Sequence, residues 1–376
     1  MNIALVLPNL AGGGAEKITF SLARHFRQAG HTVRLILFSN SGELQGQAPP
    51  GIPIVDLQCG SARRALFPLL RAIDDSGADT VFSTHKHTAI LCELSRFRPR
   101  GRSYRHFMRI PNTYSREMRI YSLWKRALLN WGIRWALTRA DGVIGVSEGV
   151  TDDLVRNYAL PRERARTIRN PVYDDSFSSL AARPSGVPRL DHREGFNVVA
   201  AGRLEYQKGF DFLIAGFAMA FAKDDAHLFI LGDGPLRRDL AEKADRFGIA
   251  GQVTFPGFVL NPLPYYALAS AFVLSSRFEG SPNALIQNLC LGTPVIATNC
   301  ESGPAEILQN GRHGTLVPVD DVNGMAHALR AVRSGNAKQS ETNFFRSLYS
   351  QSDRCKDYEQ FLGRPRSAFH VGSRTE

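Results

Sequence analysis

The sequence predicts an α/β protein of two tandem, doubly wound domains facing a cleft. Three observations carry that expectation. Short apolar runs alternate with amphipathic helical patterns along most of the chain. That is the pattern of βαβ units, with helices on both faces of a parallel sheet. The alternation breaks once, over residues 167–195, and then restarts. Finally, 376 residues with 43% hydrophobic content are too many for one ordinary core and suit two.

In the first half, NIALVLP (2–8), TVRLILF (32–38), IPIVDL (52–57), DTVFST (79–84) and GVIGVS (142–147) read as buried strands. Helical stretches follow most of them, as in AEKITFSLARHFRQAG (15–30). Over 167–195, Pro, Ser and charged residues replace the apolar periodicity, which reads as a linker. The second half adds FNVVAAGR (196–203), HLFILGDG (227–234), VTFPGF (253–258), AFVLSS (271–276) and PVIAT (294–298) as strands. The segment FFRSLYSQSDRCKDYEQFL (344–362) reads as a helix crossing back to the first domain. The expected boundaries are 1–170 plus that helix, 171–343, and a flexible tail at 364–376. Ligands of such sheets lie at the carboxyl ends of the strands.

Composition narrows the function. No segment approaches the roughly 18–20 unbroken apolar residues of a membrane span. The start, MNIALVLPNLAGGG, lacks a basic leader and a small-residue cleavage site, so it reads as a first strand rather than a secretory signal. Cys59, Cys92, Cys290, Cys300 and Cys355 form no CxxC pair. Neither a metal cluster nor a disulfide framework is expected, and a reducing cytosol is. The net charge of +11 suits nucleic acid, an anionic membrane or a phosphorylated substrate; its distribution must choose among them.

The most informative stretch is SRFEGSPNALIQNLCLGTPVIAT (276–298). Ser281 and Pro282 read as an N-cap and a first-turn proline, so a helix starts beside a strand end. Its free amides and positive dipole end suit a phosphate. Glu279 sits in the loop before the helix, and Gln287 about 1.5 turns into it. AGRLEYQKGF (201–210) places Arg203 at a strand end and Lys208 before the next helix. Two cations there suit a diphosphate. Each feature alone is also compatible with a capped core helix or a solvated basic turn.

Taken in order, GGGAE (12–16), VSEGVTDDL (146–154), RNPV (169–172), AGRLEYQKGFD (201–211), LGDGP (231–235), FPGF (255–258), SRFEGSPNAL (276–285), LGTPVIAT (291–298), SGPAEIL (302–308) and GTLVPVDD (314–321) resemble the retaining glycosyltransferases of family 4. These have the GT-B fold of two Rossmann-like domains. The resemblance runs over nearly the whole chain and is strongest over 196–320. It implies roles for matching positions. Gly12, Gly13 and Gly14 would let backbone approach the sugar diphosphate. Arg203 and Lys208 would neutralise the diphosphate, and Glu279 would hold a donor-sugar hydroxyl. Amides near Asn283 and Leu285 would touch the phosphates, and the Gly257–Phe258 turn would read the base by its main chain. Arg203, Lys208 and Glu279 are thus the expected catalytic residues. No metal is expected, since the cations and the helix dipole can replace one.

Position 287 departs from the family pattern, which has a glutamate gripping the ribose hydroxyls there. An amide can accept from one hydroxyl and donate to the other. The exchange weakens donor binding by roughly 1 kcal/mol, a several-fold effect, and removes no catalytic acid. The resemblance to bacterial surface-polysaccharide enzymes points to a UDP-hexose or UDP-N-acetylhexosamine donor and a lipid-linked or growing glycan acceptor.

From Arg96 to Arg139 the chain has twelve Lys and Arg against one acid, Glu117, and all three tryptophans, Trp124, Trp131 and Trp135. A helix lying in an anionic membrane interface suits this mixture, and a core helix with a solvated basic face also fits. No nucleic-acid recognition motif accompanies it. The expected location is therefore cytoplasmic, on the inner face of the membrane. His85, His87, His106, Arg109 and Asn112 fall in strand-end loops, with Arg109 and Asn112 expected to line the cleft. Three other readings stay open: a nucleotide-sugar 2-epimerase, a non-catalytic nucleotide-sugar binder, and an NAD-dependent oxidoreductase. The last is disfavoured because GGGAE is not GxGxxG.

Overall fold

The structure, a computed structural model, describes residues 1–96 and 103–365. The expected tail beyond Pro365, and Arg98, Arg100 and Arg102 of the basic segment, lie outside the described residues. The chain divides into two compact units: Met1–Pro171 with Gln351 onward, and Val172–Ser350.

The first unit runs β1 (Asn2–Leu7), α1 (Gly14–Gln28), β2 (Thr32–Leu37), β3 (Ile54–Asp56), α2 (Ala62–Ser76), β4 (Thr80–Ser83), α3 (Lys86–Ser95), β5 (Arg105–Ile110), α4 (Tyr114–Glu117), α5 (Leu123–Arg139), β6 (Gly142–Gly145), α6 (Glu148–Tyr158) and β7 (Ala165–Thr167). The strands form a parallel sheet in the order β3-β2-β1-β4-β5-β6-β7. The order reverses between β1 and β4, so the strand-end loops after these two open at a switch point. The near-complete burial of β1, β4 and β6 explains their unbroken apolar runs.

The second unit runs α7 (Phe177–Ala181), α8 (Pro188–Asp191), β8 (Phe196–Ala201), α9 (Phe210–Phe221), β9 (Ala226–Leu231), α10 (Arg237–Arg246), β10 (Val253–Gly257), α11 (Leu263–Leu268), β11 (Ala271–Leu274), α12 (Asn283–Leu291), β12 (Val295–Thr298), α13 (Pro304–Ile307), β13 (Thr315–Val317), α14 (Val322–Arg333) and α15 (Thr342–Leu348). Its parallel sheet has the order β10-β9-β8-β11-β12-β13, with the switch between β8 and β11. Successive side chains of β8 face opposite layers, as strand geometry requires. Val198 and Ala200 pack with Phe210, Leu213 and Phe217 of α9, while Val199 packs in the cluster holding Tyr266, Leu285 and Phe345.

Four expectations change. The segment 167–195 is not a free linker, because Phe177, Ala181 and Leu190 are buried in the second unit's core. The single helix expected over 344–362 is two, α15 and α16 (Gln351–Gly363), broken at Tyr349 and Ser350, whose backbones pair with Val172 and Tyr173. In the first unit, α16 is fastened by Glu359, which meets both His25 and His31 at 2.9 Å. Strands β5, β7 and β13 were not expected. Finally, the cap of α12 is Pro282, not Ser281: the ring fixes φ at −68° but ψ stays extended at 105°, so helical geometry begins at Asn283.

Candidate donor-binding site

The second unit gathers its charged motifs at the carboxyl ends of β8 and β11, on either side of the switch point. After β8 the chain makes a tight turn over Tyr206–Lys208 and enters α9 through Gly209, at φ +62°. A Cβ at Gly209 would lie 2.1 Å from the Ser275 carbonyl oxygen, so only glycine lets this turn rest on the end of β11. The approach brings Lys208 Nζ to 2.6 Å from Glu279 Oε1. Ser276 Oγ donates to the same carboxylate oxygen at 2.6 Å. Glu279 is 6% exposed, so this ion pair is largely shielded from water. A charge-assisted bond there is strong and keeps both groups oriented.

Arg203 lies on the same loop but is placed differently. Its side chain is 51% exposed and pairs with Glu205 Oε1 at 3.3 Å. Such an exposed pair holds its partner weakly, and Arg203 can turn to an arriving anion. Asn283 opens α12 and Leu285 is buried two residues further on. The first-turn amides of this nine-residue helix, and the positive end of its dipole, adjoin the Glu279 loop in sequence. Gln287 is half-buried on α12, and its neighbour Asn288 turns fully inward. Gly257 ends β10 at φ +84°, with Phe258 half-buried after it. Lys208, Glu279 and the start of α12 are thus close together. Arg203 stands nearby on the loop, and Gly257–Phe258 ends the separate edge strand β10.

Arg277 was not singled out in the sequence, although it lies within SRFEGSPNAL. It is among the most heavily bonded side chains of the unit. Its guanidinium lies 2.8 Å from both Asp211 and Asp320 and stacks on Tyr206 with its carbon 4.2 Å from the ring centroid. Burial alone pushes its acidity the other way, but the hydrogen bonds to the two carboxylates dominate and raise its pKa.

In the first unit, Gly12 takes φ +83° and Gly13 caps α1. A Cβ on Gly13 would come within 2.6 Å of Glu16 Oε2. Glu16 is buried, and its Oε1 lies 3.8 Å from His85 Nε2 across the β1/β4 switch point. His85 Nδ1 is 3.0 Å from Thr84 Oγ1. His87 is exposed at its surface, and burial of its inner side, then Lys86, lowers its pKa. His106 is structural: it is fully buried between Ser83 and Glu93. Arg109 does not line an opening. It is 2% exposed and donates to Tyr358 Oη at 3.2 Å and Asn170 Oδ1 at 2.6 Å, tying β5 to α16 and to the RNPV segment. Asn112 is half-buried, and its side chain accepts from the Thr113 amide.

Helix α5 sorts the basic, aromatic segment. Gly132, Ile133, Ala136 and Leu137 face the core. Trp124 is 70% and Trp131 68% exposed, with Leu123 and Leu128 also outward. Trp135 is not part of that outward face: it packs on the core rim with the Arg139 guanidinium over its ring. Among the described residues no helix is long and apolar enough to cross a membrane, and no cluster of three His, Cys, Asp or Glu stands where it could hold a metal ion.

Two doubly wound parallel-sheet units define the GT-B class of fold. Solved structures agree: Anabaena HepE in complex with UDP-glucose superposes with a TM-score of 0.81 over 96% of this chain and 98% of that one, at 16% identity. The chain carries two glycosyltransferase domains, one of family 4 and one of group 1. It matches the model "Glycosyltransferase Family 4" over residues 12–176 and "Glycosyl transferases group 1" over 195–334. It is 29% identical over 194 residues to the N-acetylgalactosamine-N,N'-diacetylbacillosaminyl-diphospho-undecaprenol 4-alpha-N-acetylgalactosaminyltransferase of Campylobacter jejuni, covering 52% of this chain and 51% of the relative. It is 33% identical over 140 residues to the lipopolysaccharide core biosynthesis glycosyltransferase LpsE of Rhizobium meliloti, covering 37% and 40%. The matched stretches thus span about half or less of these relatives.

Proposed function

We propose that the protein is a retaining glycosyltransferase. It moves a hexosyl or N-acetylhexosaminyl group from a nucleoside-diphosphate sugar, with UDP as the nucleotide, to a lipid-linked or growing glycan. The observation that carries this is the shielded Lys208–Glu279 pair at the β8/β11 switch point, beside the start of α12. An ammonium held by a carboxylate provides adjacent grips for a phosphate oxygen and a sugar hydroxyl. The UDP complexes of HepE and the names of the Campylobacter and Rhizobium relatives support the donor and acceptor classes.

In this reading the second unit binds the donor and the first recognises the acceptor. The bond between the anomeric carbon and the diphosphate oxygen breaks, and the acceptor oxygen bonds to that carbon on the same face. The acceptor's hydroxyl proton passes to the departing phosphate oxygen. Lys208, Arg203 and the α12 amides stabilise the charge that develops there, a role electrostatic preorganisation performs well. These groups serve in place of a metal ion. Glu279 orients the sugar, Gln287 holds the ribose, and the Gly257–Phe258 main chain meets the base. The outward face of α5, with Trp124 and Trp131 among cations, rests on the anionic cytoplasmic membrane surface, where a lipid-linked acceptor is presented.

Incubation with a panel of labelled UDP-hexoses and UDP-N-acetylhexosamines plus bacterial membrane extract tests the reading. Label transferred to the lipid fraction with the α configuration retained is the expected result. Release of a rearranged sugar, or binding without transfer, would overturn it.

A further inference from the structure

Lysine carries four rotatable bonds, so the aim of an ammonium depends on how its backbone is anchored. The Tyr206–Lys208 turn is anchored from one side. Its three successive carbonyls all accept from the end of β11: Tyr206 O from Arg277 Nη1 at 2.8 Å, Gln207 O from the Arg277 amide at 2.7 Å, and Lys208 O from Ser275 Oγ at 2.7 Å. Gln207 returns a bond to the Phe278 carbonyl at 2.9 Å. Arg277 is itself locked. Its Nε lies 2.9 Å from Asp320 Oδ1, and its Nη2 2.8 Å from Asp211 Oδ2, with the side chain 10% exposed. One guanidinium therefore joins the lysine turn, the first turn of α9 and the loop after β13. Asp320 sits at φ +61° to make its part of the contact.

We propose that Arg277 is the positioning residue of the phosphate grip: it fixes the Tyr206–Lys208 turn so that Lys208 Nζ points at the leaving diphosphate. The inference rests on the donor-site reading above. It explains why the fork must be planar. A lysine at 277 keeps the charge, but its three donors sit on one nitrogen and cannot span the positions that Nε, Nη1 and Nη2 reach separately. Arg277 acts through Lys208 and touches no substrate atom.

The test is a double-mutant cycle read on UDP affinity by titration calorimetry, with turnover alongside. Arg277→Lys should weaken UDP binding about tenfold in the wild-type background. In the Lys208→Ala background the same change should cost less than about twofold, because the residue it positions is gone. Asp320→Asn, at a half-exposed carboxylate, should show the same dependence at about threefold, and it carries the test if Arg277→Lys fails to fold. Equal losses in both backgrounds would overturn the proposal, since a merely structural residue does not sense whether Lys208 is present. A wild-type protein that binds no UDP at millimolar concentration would overturn the nucleotide-sugar reading, and this inference with it.

Discussion

The two cationic regions of this chain are built in opposite ways. At the β8/β11 switch point, Lys208 is bonded to a carboxylate that is itself almost out of water, and the turn that carries it is stitched down carbonyl by carbonyl. On α5, cations stand among exposed aromatic and aliphatic side chains whose apolar surface faces solvent. A charge that must meet one atom at one angle needs fixed partners. A charge that must meet a surface needs exposure and greasy neighbours. A net charge of +11 describes both regions and distinguishes neither.

The largest expected effect tests the fixed region. Lys208→Ala should lower turnover about 100-fold, the range seen when one preorganised charge-stabilising group is removed. Glu279→Gln should lower it by a similar order, since it removes the carboxylate charge that holds Lys208 and, in the proposed reading, weakens the grip on the sugar hydroxyl. Arg203→Ala should cost only about tenfold, because Arg203 is half-exposed and held by one exposed ion pair. All three should melt within a few degrees of the wild type. Steady-state kinetics and a melting curve check this. If Arg203→Ala costs more than Lys208→Ala, the distinction between tightly and loosely held cations fails.

Much of this architecture was legible in the sequence, and the exceptions have physical causes. Strands β1, β8 and β12 are buried on both faces, so their apolar runs announce them. Strand β5 hides because Arg105, His106 and Arg109 interrupt its apolar residues. His106 and Arg109 are buried all the same, because Glu93, Tyr358 and Asn170 receive them, and those partners are distant in sequence. Strands β7 and β13 are three-residue edges too short to show a period. Lys208 and Glu279, which pair in the structure, could be singled out because each lies in a recognisable strand-end motif. The role of Arg277 could not be, because its carboxylate partners lie 66 and 43 residues away.

The exposed region yields a medium effect. At 3.6 residues per turn, Trp124, Trp131 and Trp135 fall within roughly 40° of one another, so periodicity treats them as one face. The packing does not. Replacing Trp124 and Trp131 with Ser should cut sedimentation with anionic vesicles several-fold at unchanged melting temperature. Trp135→Ser should lower the melting temperature instead, since that ring fills the core rim beneath Arg139. High salt should weaken vesicle binding of the wild type as the basic face is screened. Vesicle binding that survives loss of both outward tryptophans would remove α5 from the membrane contact.

The smallest effect belongs to Gln287, where the chain departs from the family pattern it otherwise resembles. The side chain is half-buried on α12 and four positions past the helix's first residue. A carboxylate so near the positive end of the helix is tolerated, so Gln287→Glu should fold as the wild type does. If the residue grips ribose, the change replaces a neutral acceptor with a charged one at equal length. That is worth roughly 1 kcal/mol and lowers the donor Michaelis constant several-fold. Turnover should stay level, because a ribose contact is the same in the ground and transition states. Opposing this is repulsion between the new carboxylate and the diphosphate. In the proposed site Lys208 and Arg203 offset it, so the gain should shrink when Lys208→Ala is combined with Gln287→Glu. A fall in turnover at unchanged donor affinity would mean that position 287 acts on the reacting sugar. The fixed region would then extend a full turn further along α12 than the Lys208–Glu279 pair marks.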